Sequence, residues 1–187
     1  MQERITIIYG MTGTGKTTMA KKIVDETDRV IIIDPLEEYT GLLFYTFEDL
    51  HYYLVSVNPK EFRCICRFSQ DHDIDYIFKL AELIQNVLIV VEEAEIYISR
   101  QAQQNNSFLH VVRYGRHYNV ALLCIARRVA ELNINVRSMT KRIISFKQIE
   151  PKDLIYMKNL GIEGVENLPD FDFSKGNLSE CYIEKIM

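Results

Sequence analysis

Close to the start of the chain, residues 10–17 read Gly-Met-Thr-Gly-Thr-Gly-Lys-Thr and directly follow the apolar segment 5–9. Glycines let the backbone wrap around an anion with its N–H groups pointing inward. A helix that starts near Gly15 would add the positive end of its dipole. The spacing G-x-x-x-x-G-K-T after a strand therefore predicts a phosphate-binding loop. The alternative is a glycine-rich turn that matches by chance, and the strand–loop–helix context argues against it.

This loop predicts ATP and Mg²⁺ as cofactors. Lys16 would neutralise the β- and γ-phosphates, and the hydroxyl of Thr17 would ligate Mg²⁺. We expect the nucleotide to be bound by Met11, Thr12, Gly13, Thr14, Gly15, Lys16, Thr17 and Thr18.

A second chemical element lies some seventy residues further on, where the apolar segment 87–91 ends in Glu92 and Glu93. Glu92 would hold the water shell of Mg²⁺, and Glu93 would orient or deprotonate the attacking water. Lys16, Glu92 and Glu93 are thus candidate catalytic residues, and Thr17 and Glu92 are candidate metal ligands. The alternative is that the two acids only cap the following helix. Glu95, one turn further, is interpreted as a solvated helix residue.

Apolar, β-branched segments alternate with helical patterns along the chain, which predicts an α/β sheet. Strands are expected at 4–9, 29–34, 61–68, 87–92, 119–126 and 142–147. Helices are expected at about 16–27, 47–55, 72–86 and 105–117, with a short helix after Pro151. Two strand-like pieces between 171 and 185, separated by Lys175-Gly176-Asn177, predict a closing hairpin or an extended tail.

The composition is that of one globular domain: 187 residues, 48% apolar and 26% charged. We assign residues 1–150 to a phosphate-loop ATPase core and 151–187 to a C-terminal helix and β extension of the same domain. The longest apolar run is too short to span a bilayer and no leader precedes the first strand, which favours a cytoplasmic location. The cysteines lack Cys-x-x-Cys spacing and predict buried reduced thiols; they are Cys64, Cys66, Cys124 and Cys181.

The net charge of −4 is unevenly distributed. Between Arg100 and Lys147, nine basic residues stand against one acid, Glu131. A local basic face binds phosphate backbones despite a negative total, and scattered solvated charge is the alternative.

Taken together and in order, these motifs resemble those of the HerA/FtsK superfamily of DNA-pumping ATPases. The resemblance adds two elements to the phosphate loop and the Glu92-Glu93 strand: Asp34-Pro35-Leu36-Glu37-Glu38-Tyr39 after the second strand, and Arg113-Tyr114-Gly115-Arg116-His117-Tyr118 before the strand near 120. It covers about residues 5 to 149 and is closest in size to the minimal viral and phage genome-packaging ATPases.

The resemblance implies a RecA/ASCE-like P-loop NTPase fold, with a mainly parallel sheet of order 5-1-4-3-2 flanked by helices. ATP would lie at the carboxyl ends of the strands. It also implies a homo-hexameric ring in which an arginine of one subunit reaches the γ-phosphate bound by its neighbour. Arg116 matches that position, with Arg113 as the substitute.

Two positions depart from the family pattern. Glu92 stands where the family usually has aspartate, and its extra methylene shifts the carboxylate by about 1 Å, so we expect slower hydrolysis unless the backbone adjusts. Arg127 stands where the family places a glutamine sensor. It is a candidate sensor of the γ-phosphate or a DNA contact, and the sequence does not decide between them.

A ring motor of this kind would bind double-stranded DNA without reading its sequence. The candidate DNA contacts are Arg137, Lys141 and Arg142, with Arg100 and the polar run 101–106 as a loop that would otherwise be plain surface. The resemblance further implies a viral capsid or membrane-shell protein as partner, and a location in the host cytoplasm or on the virion.

Two other functions compete with a DNA-packaging motor. A small-molecule kinase of the same loop class would use Arg113 and Arg116 in a lid, but it must exclude water, whereas adjacent Glu92 and Glu93 suit water activation. A phage assembly or secretion ATPase of the same superfamily would hydrolyse ATP without moving DNA.

Overall fold

The computed structural model describes residues 4–68, 71–97 and 106–187. The described strands are β1 Ile5–Tyr9, β2 Arg29–Ile33, β3 Leu42–Phe44, β4 Phe62–Cys66, β5 Val87–Val91, β6 Val120–Ala126, β7 Arg142–Phe146 and β8 Tyr182–Ile186. The six strands predicted before residue 150 are confirmed. β3 was not predicted, because three residues are too few for a recognisable alternation. Arg100 and most of the predicted polar loop lie outside the described residues.

The described helices are α1 Lys16–Asp25, α2 Phe47–His51, α3 Asp71–Ile84, α4 Ala94–Tyr97, α5 Asn106–Tyr114, α6 Ile134–Met139 and α7 Pro151–Asn159. α2 continues into a π-helix at Tyr52–Val57. Local chemistry explains where α2 and α7 begin. The hydroxyl of Thr46 accepts a hydrogen bond from the Asp49 amide and so caps α2, and α7 has a proline in its first turn. The predicted helices are confirmed to within a few residues at their ends.

The strands form one sheet in the order β3-β4-β2-β5-β6-β1-β7-β8. Every neighbouring pair is parallel except β7 with β8. The eight-strand order differs from the expected five-strand order because β4 and β3 extend one edge and β8 extends the other. Between these additions, β7, β1, β6, β5 and β2 are consecutive, so β6 separates the strand before the phosphate loop from the strand before Glu92, as expected.

Residues 151–187 contribute α7 and β8, and β8 closes one edge of the sheet antiparallel to β7. The predicted C-terminal β element is confirmed as β8, but the strand-like piece before Lys175 is wrong, since residues 173–176 form turns. The Asp172 carboxylate accepts hydrogen bonds from the amide and hydroxyl of Ser174, at 2.9 and 2.7 Å. Such local side-chain contacts favour a turn over a strand.

Both faces of the sheet are buried, which explains why the central strands are apolar throughout. On one face, α3, α5, α6 and α7 pack against side chains such as Ile7. On the other face, α1 and the C-terminal segment around Leu178 and Cys181 pack against side chains such as Ile8. The phosphate loop therefore leads onto the face that it shares with the C-terminal segment.

The four cysteines are buried free thiols, as predicted. Burial raises the pKa of Cys64 and of Cys124 to about 12. Within the described ranges, no helix combines the length and the apolar character that crossing a membrane requires.

Candidate functional site

The predicted phosphate loop joins the carboxyl end of β1 to the N-terminus of α1. Gly15 is the N-cap of α1, with a φ of 103°, and the first turn of the helix carries no acidic residue. The Thr14 hydroxyl and the Lys16 ammonium both donate to the carbonyl of Met11 at 2.8 Å. The amides at the start of α1 thus face neither a capping side chain nor a carboxylate of the helix, as an anion site there requires.

The base of the loop is packed closely against the end of β7. A side chain at Gly10 would place its Cβ 2.6 Å from Cβ of Phe146 and 2.8 Å from the Thr14 hydroxyl. The Met11 amide donates to the carbonyl of Lys147 at 3.1 Å. The loop is therefore anchored to the neighbouring strand on the β7 side.

One cavity at the carboxyl ends of the strands brings the predicted catalytic residues together. Thr12, Gly13, Lys16 and Thr17 line it from the loop, and Glu92, Glu93 and Arg127 line it from the ends of β5 and β6. Burial lowers the pKa of Lys16. The cavity thus brings two cations, Lys16 and Arg127, together with the carboxylates of Glu38, Glu92 and Glu93 beside the start of α1.

Glu92 is a buried carboxylate with defined hydrogen-bond donors. It is 2% exposed, and its Oε1 accepts a hydrogen bond from the Tyr39 hydroxyl at 2.6 Å. Burial raises the pKa of Glu92, and the hydrogen bonds from Tyr39 and Thr17 act in the opposite direction. The two candidate metal ligands, Thr17 and Glu92, line the same cavity. A hydroxyl and a carboxylate are oxygen ligands of the kind that Mg²⁺ uses beside phosphates, so these residues fit the predicted metal.

Glu93 has a different environment from Glu92. Its backbone is left-handed, with a φ of 46°, and its carboxylate pairs with the guanidinium of Arg127. In a continuing strand the two adjacent side chains would point to opposite faces of the sheet, but the left-handed backbone ends this alternation after β5, and both acids line the cavity. Arg127 therefore lies within the cavity and contacts the predicted water-activating residue.

Glu95 is not the solvated residue that we expected. Burial raises its pKa, and its Oε1 accepts a hydrogen bond from the Arg127 amide at 3.1 Å. This contact arises because α4 begins directly after Glu93 and turns Glu95 towards the end of β6. Glu95 therefore helps to position the backbone of Arg127.

The segment Asp34–Tyr39 is held by the buried carboxylate of Asp34. Its two oxygens accept hydrogen bonds from the amides of Glu38 and Tyr39, at 3.0 and 3.2 Å. The guanidinium of Arg67 pairs with the same carboxylate at 2.9 Å. This network fixes Tyr39, whose hydroxyl contacts Glu92.

The structure places Arg116 far from the phosphate loop of its own chain. Arg116 is exposed in the turn Gly115–His117, before the amino end of β6. β6 has seven residues and runs parallel to β1, so about 20 Å of strand separates Arg116 from the edge that carries the loop. Arg113 is exposed near the end of α5, before the same turn. Neither arginine can reach the cavity of its own chain.

The three described DNA-contact candidates have unequal surroundings. The guanidinium of Arg142 pairs with Glu184 across β7 and β8 at 2.9 Å, and that of Arg137 lies over the ring of Tyr156, 4.9 Å from its centroid. Lys141 is exposed at the amino end of β7. Two of the three side chains thus make contacts within the chain.

Sequence reasoning missed the residues that hold the loop after β6. Gln148 is 1% exposed and donates to the Arg127 carbonyl at 3.1 Å. The buried carboxylate of Asp153 accepts hydrogen bonds from the Ala130 amide and from Arg128. Gln148 and Asp153 lie among polar residues, and nothing in the local sequence distinguishes them from side chains that are exposed to solvent.

Comparisons with known proteins agree with this geometry. The profile of the family described as "Helicase HerA, central domain" matches residues 3–160. A probable DNA double-strand break repair helicase HerA of Methanocaldococcus jannaschii is 34% identical over 84 residues, which are 44% of this chain and 17% of that protein. The DNA double-strand break repair helicase HerA of Sulfurisphaera tokodaii is 31% identical over 94 residues, 46% of this chain and 19% of that protein. The chain spans less than a fifth of the length of either relative.

Among solved structures, the genome packaging NTPase B204 of Sulfolobus turreted icosahedral virus 2, in complex with ATP-gammaS, has a TM-score of 0.76. Its sequence is 15% identical, and the match covers 98% of each chain, so the two share a fold. Because the family profile spans most of the sequence and includes both the phosphate loop and the Glu92-Glu93 strand, the chain belongs to the family of the HerA helicase central domain.

Proposed function

We propose that this chain binds ATP with Mg²⁺ and hydrolyses it as the motor of a double-stranded DNA translocase, in the manner of a viral or phage genome-packaging ATPase. The observation that carries the proposal is the cavity in which Lys16, Glu92, Glu93 and Arg127 meet beside the N-terminus of α1. Family membership supports the same function.

Each residue of the cavity has a separate task in this reaction. The amides of the loop and the Lys16 ammonium bind the phosphates, while Thr17 and Glu92 would hold the metal. Bound Mg²⁺ would neutralise charge on the β- and γ-phosphates. Glu93 accepts a proton from the water whose oxygen attacks the γ-phosphorus, as the bond to the leaving ADP oxygen breaks.

The ion pair between Arg127 and Glu93 gives Arg127 a role on the path to hydrolysis. A carboxylate oxygen that is held by a guanidinium is engaged in that contact and is not free to bind the attacking water. The phosphate oxygens of ATP compete for the same guanidinium. Arg127 thus senses the γ-phosphate by transferring its contact from Glu93 to the nucleotide, and this frees Glu93 to act on water.

DNA would be gripped through its phosphates and not through its bases. Lys141 is the described candidate whose charge is exposed, and it lies at the edge of the sheet opposite the cavity. Binding by such side chains is independent of sequence and weakens steeply with salt.

The test is phosphate release from ATP and Mg²⁺, with and without double-stranded DNA, in the wild type and two variants. We expect Lys16→Ala to abolish nucleotide binding, and Glu93→Gln to bind ATP while turnover falls about a hundredfold or more. Hydrolysis by Glu93→Gln at the wild-type rate would contradict the water-activating role.

The same assay separates the competing functions. Stimulation by DNA that disappears at high salt supports a DNA motor. Hydrolysis that ignores DNA favours an assembly or secretion ATPase, and phosphate transfer to a small acceptor without release into water favours a kinase.

A further inference from the structure

The most exposed of the large apolar side chains described is that of Phe173, at 81%. Exposing a phenylalanine ring in this way forgoes the stabilisation that its burial would give. Phe173 lies in the C-terminal segment, between α7 and β8. Its position beside the phosphate loop suggests that the ring contacts a bound ligand.

The Phe173 ring is held in place by its surroundings. It contacts the ring of Phe171 edge to face, with centroids 4.5 Å apart and an interplanar angle of 60°. On either side of it, the Asp172 amide donates to the side chain of Asn177 at 2.9 Å and the Ser174 amide donates to Asp172. Phe173 is therefore an exposed ring on an ordered turn.

This turn is packed directly onto the phosphate loop. A side chain at Gly15 would place its Cβ 3.1 Å from Cβ of Phe171 and 2.9 Å from Cδ1 of Leu178. Asp170, next to Phe171, pairs with Lys147 at 3.5 Å, and the carbonyl of Lys147 accepts the Met11 amide. The Phe171–Phe173 pair is thus attached to both ends of the loop that would bind phosphate.

The sheet order places this aromatic pair on the side of the loop from which the nucleoside part of a bound nucleotide would extend. Glu92, Glu93 and Arg127 follow β5 and β6, on one side of β1, and they mark the γ-phosphate end. Lys147 follows β7, on the other side of β1, and the aromatic pair is attached there. A triphosphate in the loop therefore directs its base away from the glutamates and towards Phe173.

We propose that Phe171 and Phe173 form a nucleobase platform, on which the base of the bound nucleotide stacks against the ring of Phe173. The proposal rests on the proposed nucleotide binding and adds the part of the ligand that the loop does not hold. Asp170 and Asp172 flank the platform and disfavour a phosphate there, whereas a neutral, flat base offers a π-face to the ring.

The platform is tested by comparing two ligands that share the phosphates and differ in the base. Calorimetry measures binding of Mg·ATP and of Mg·tripolyphosphate to the wild type, to Phe173→Ala and to Phe173→Trp. We expect Phe173→Ala to weaken ATP binding about tenfold and leave tripolyphosphate binding unchanged, since stacking on one ring contributes about 1–3 kcal/mol per base. Phe173→Trp should retain the wild-type affinity for ATP.

The matched control is Tyr52→Ala, which removes a ring that is 66% exposed on the π-helix after α2. It should change neither affinity. Unchanged ATP binding in Phe173→Ala overturns the platform, and so does an equal loss for both ligands, which would indicate a structural role. If Phe173→Ala changes the oligomeric mass and leaves the affinity for ATP unchanged, Phe173 belongs to a contact between subunits. That result also overturns the platform.

Failure of the platform and failure of the proposed function give different results. If the wild type binds tripolyphosphate as tightly as ATP, the platform is rejected, but the phosphate-binding role of the loop is retained. A wild type that binds neither ligand rejects both.

Discussion

At the scale of single residues, the site depends on how each carboxylate is held. The carboxylate of Glu92 is buried and accepts a hydrogen bond from the Tyr39 hydroxyl, whereas the carboxylate of Glu93 pairs with Arg127. Burial alone would favour the neutral form of Glu92, which cannot hold a cation. Tyr39 is therefore a positioning residue, since it orients Glu92 and favours the ionised form.

Tyr39→Phe tests this role because it removes the donor and keeps the ring. The Glu92 pKa, already raised by burial, rises further when the hydrogen bond that lowers it is lost. In the proposed reaction Glu92 acts as a carboxylate, so the acid limb of the ATPase pH profile should move to higher pH. We expect kcat near neutral pH to fall about tenfold, with a smaller change in the KM for ATP.

The control for this prediction is Tyr52→Phe, which alters an exposed tyrosine in another element. Its pH profile should match that of the wild type. A profile of unchanged shape in Tyr39→Phe, even with lower activity, would show that the hydroxyl does not govern Glu92.

At the scale of elements, the phosphate loop is confined by its neighbours as well as by its own glycines. Gly15 combines a left-handed backbone with the close approach of Phe171 and Leu178. A side chain there meets a conformational penalty and a steric one. The C-terminal segment thus stabilises the loop from the face that it shares with α1.

Gly15→Ala and Gly164→Ala separate these two penalties. Both glycines have positive φ, 103° and 82°, but an added Cβ at Gly164 meets no atom within 4 Å. We expect Gly164→Ala to lower the free energy of unfolding by about 1 kcal/mol, through backbone strain alone. Gly15→Ala should cost about 1–3 kcal/mol more, from overpacking, and urea denaturation measures both. Equal decreases in the free energy of unfolding of the two variants would mean that Phe171 and Leu178 can move to accommodate the added methyl group at little cost.

At the scale of the whole molecule, the separation of Arg116 from the cavity has a consequence for assembly. Arg116 lies at the amino edge of the sheet and the loop lies at the carboxyl edge. An arginine that acts on the γ-phosphate from there must come from another subunit. A head-to-tail ring meets this requirement, because each interface joins two different surfaces.

Mixing two inactive variants tests this arrangement. Arg116→Ala keeps the loop and loses the arginine, while Lys16→Ala keeps the arginine and loses the loop. In equal mixtures, about a quarter of the interfaces in a random ring combine an intact loop with an intact arginine, so we expect up to about a quarter of the wild-type ATPase activity. An Arg113→Ala with Lys16→Ala mixture tests the substitute. No recovery in rings shown by mass to be mixed would argue against a shared site.

The parts of the fold and site that were predicted correctly are local in the chain. The loop 10–17 and the acids after β5 are recognisable because each is a short run of fixed spacing beside an apolar strand. The order of the central strands followed from the family resemblance, while β3, β4 and β8 extended the sheet beyond it. The partial burial of Glu95 and the turns at 173–176 were not foreseen, since both depend on the residues that pack nearby.

By itself, the sequence determined which chemistry is present: a phosphate loop, a lysine, and two adjacent glutamates at the end of a buried strand. Only the tertiary structure decided how these groups are controlled. It brought Tyr39 to Glu92, Arg127 to Glu93 and Phe171 to Gly15, and it paired Arg142 with Glu184. The physical reason is that each of these contacts joins residues more than thirty positions apart, and local spacing carries no information about distances that the packing of the whole sheet sets.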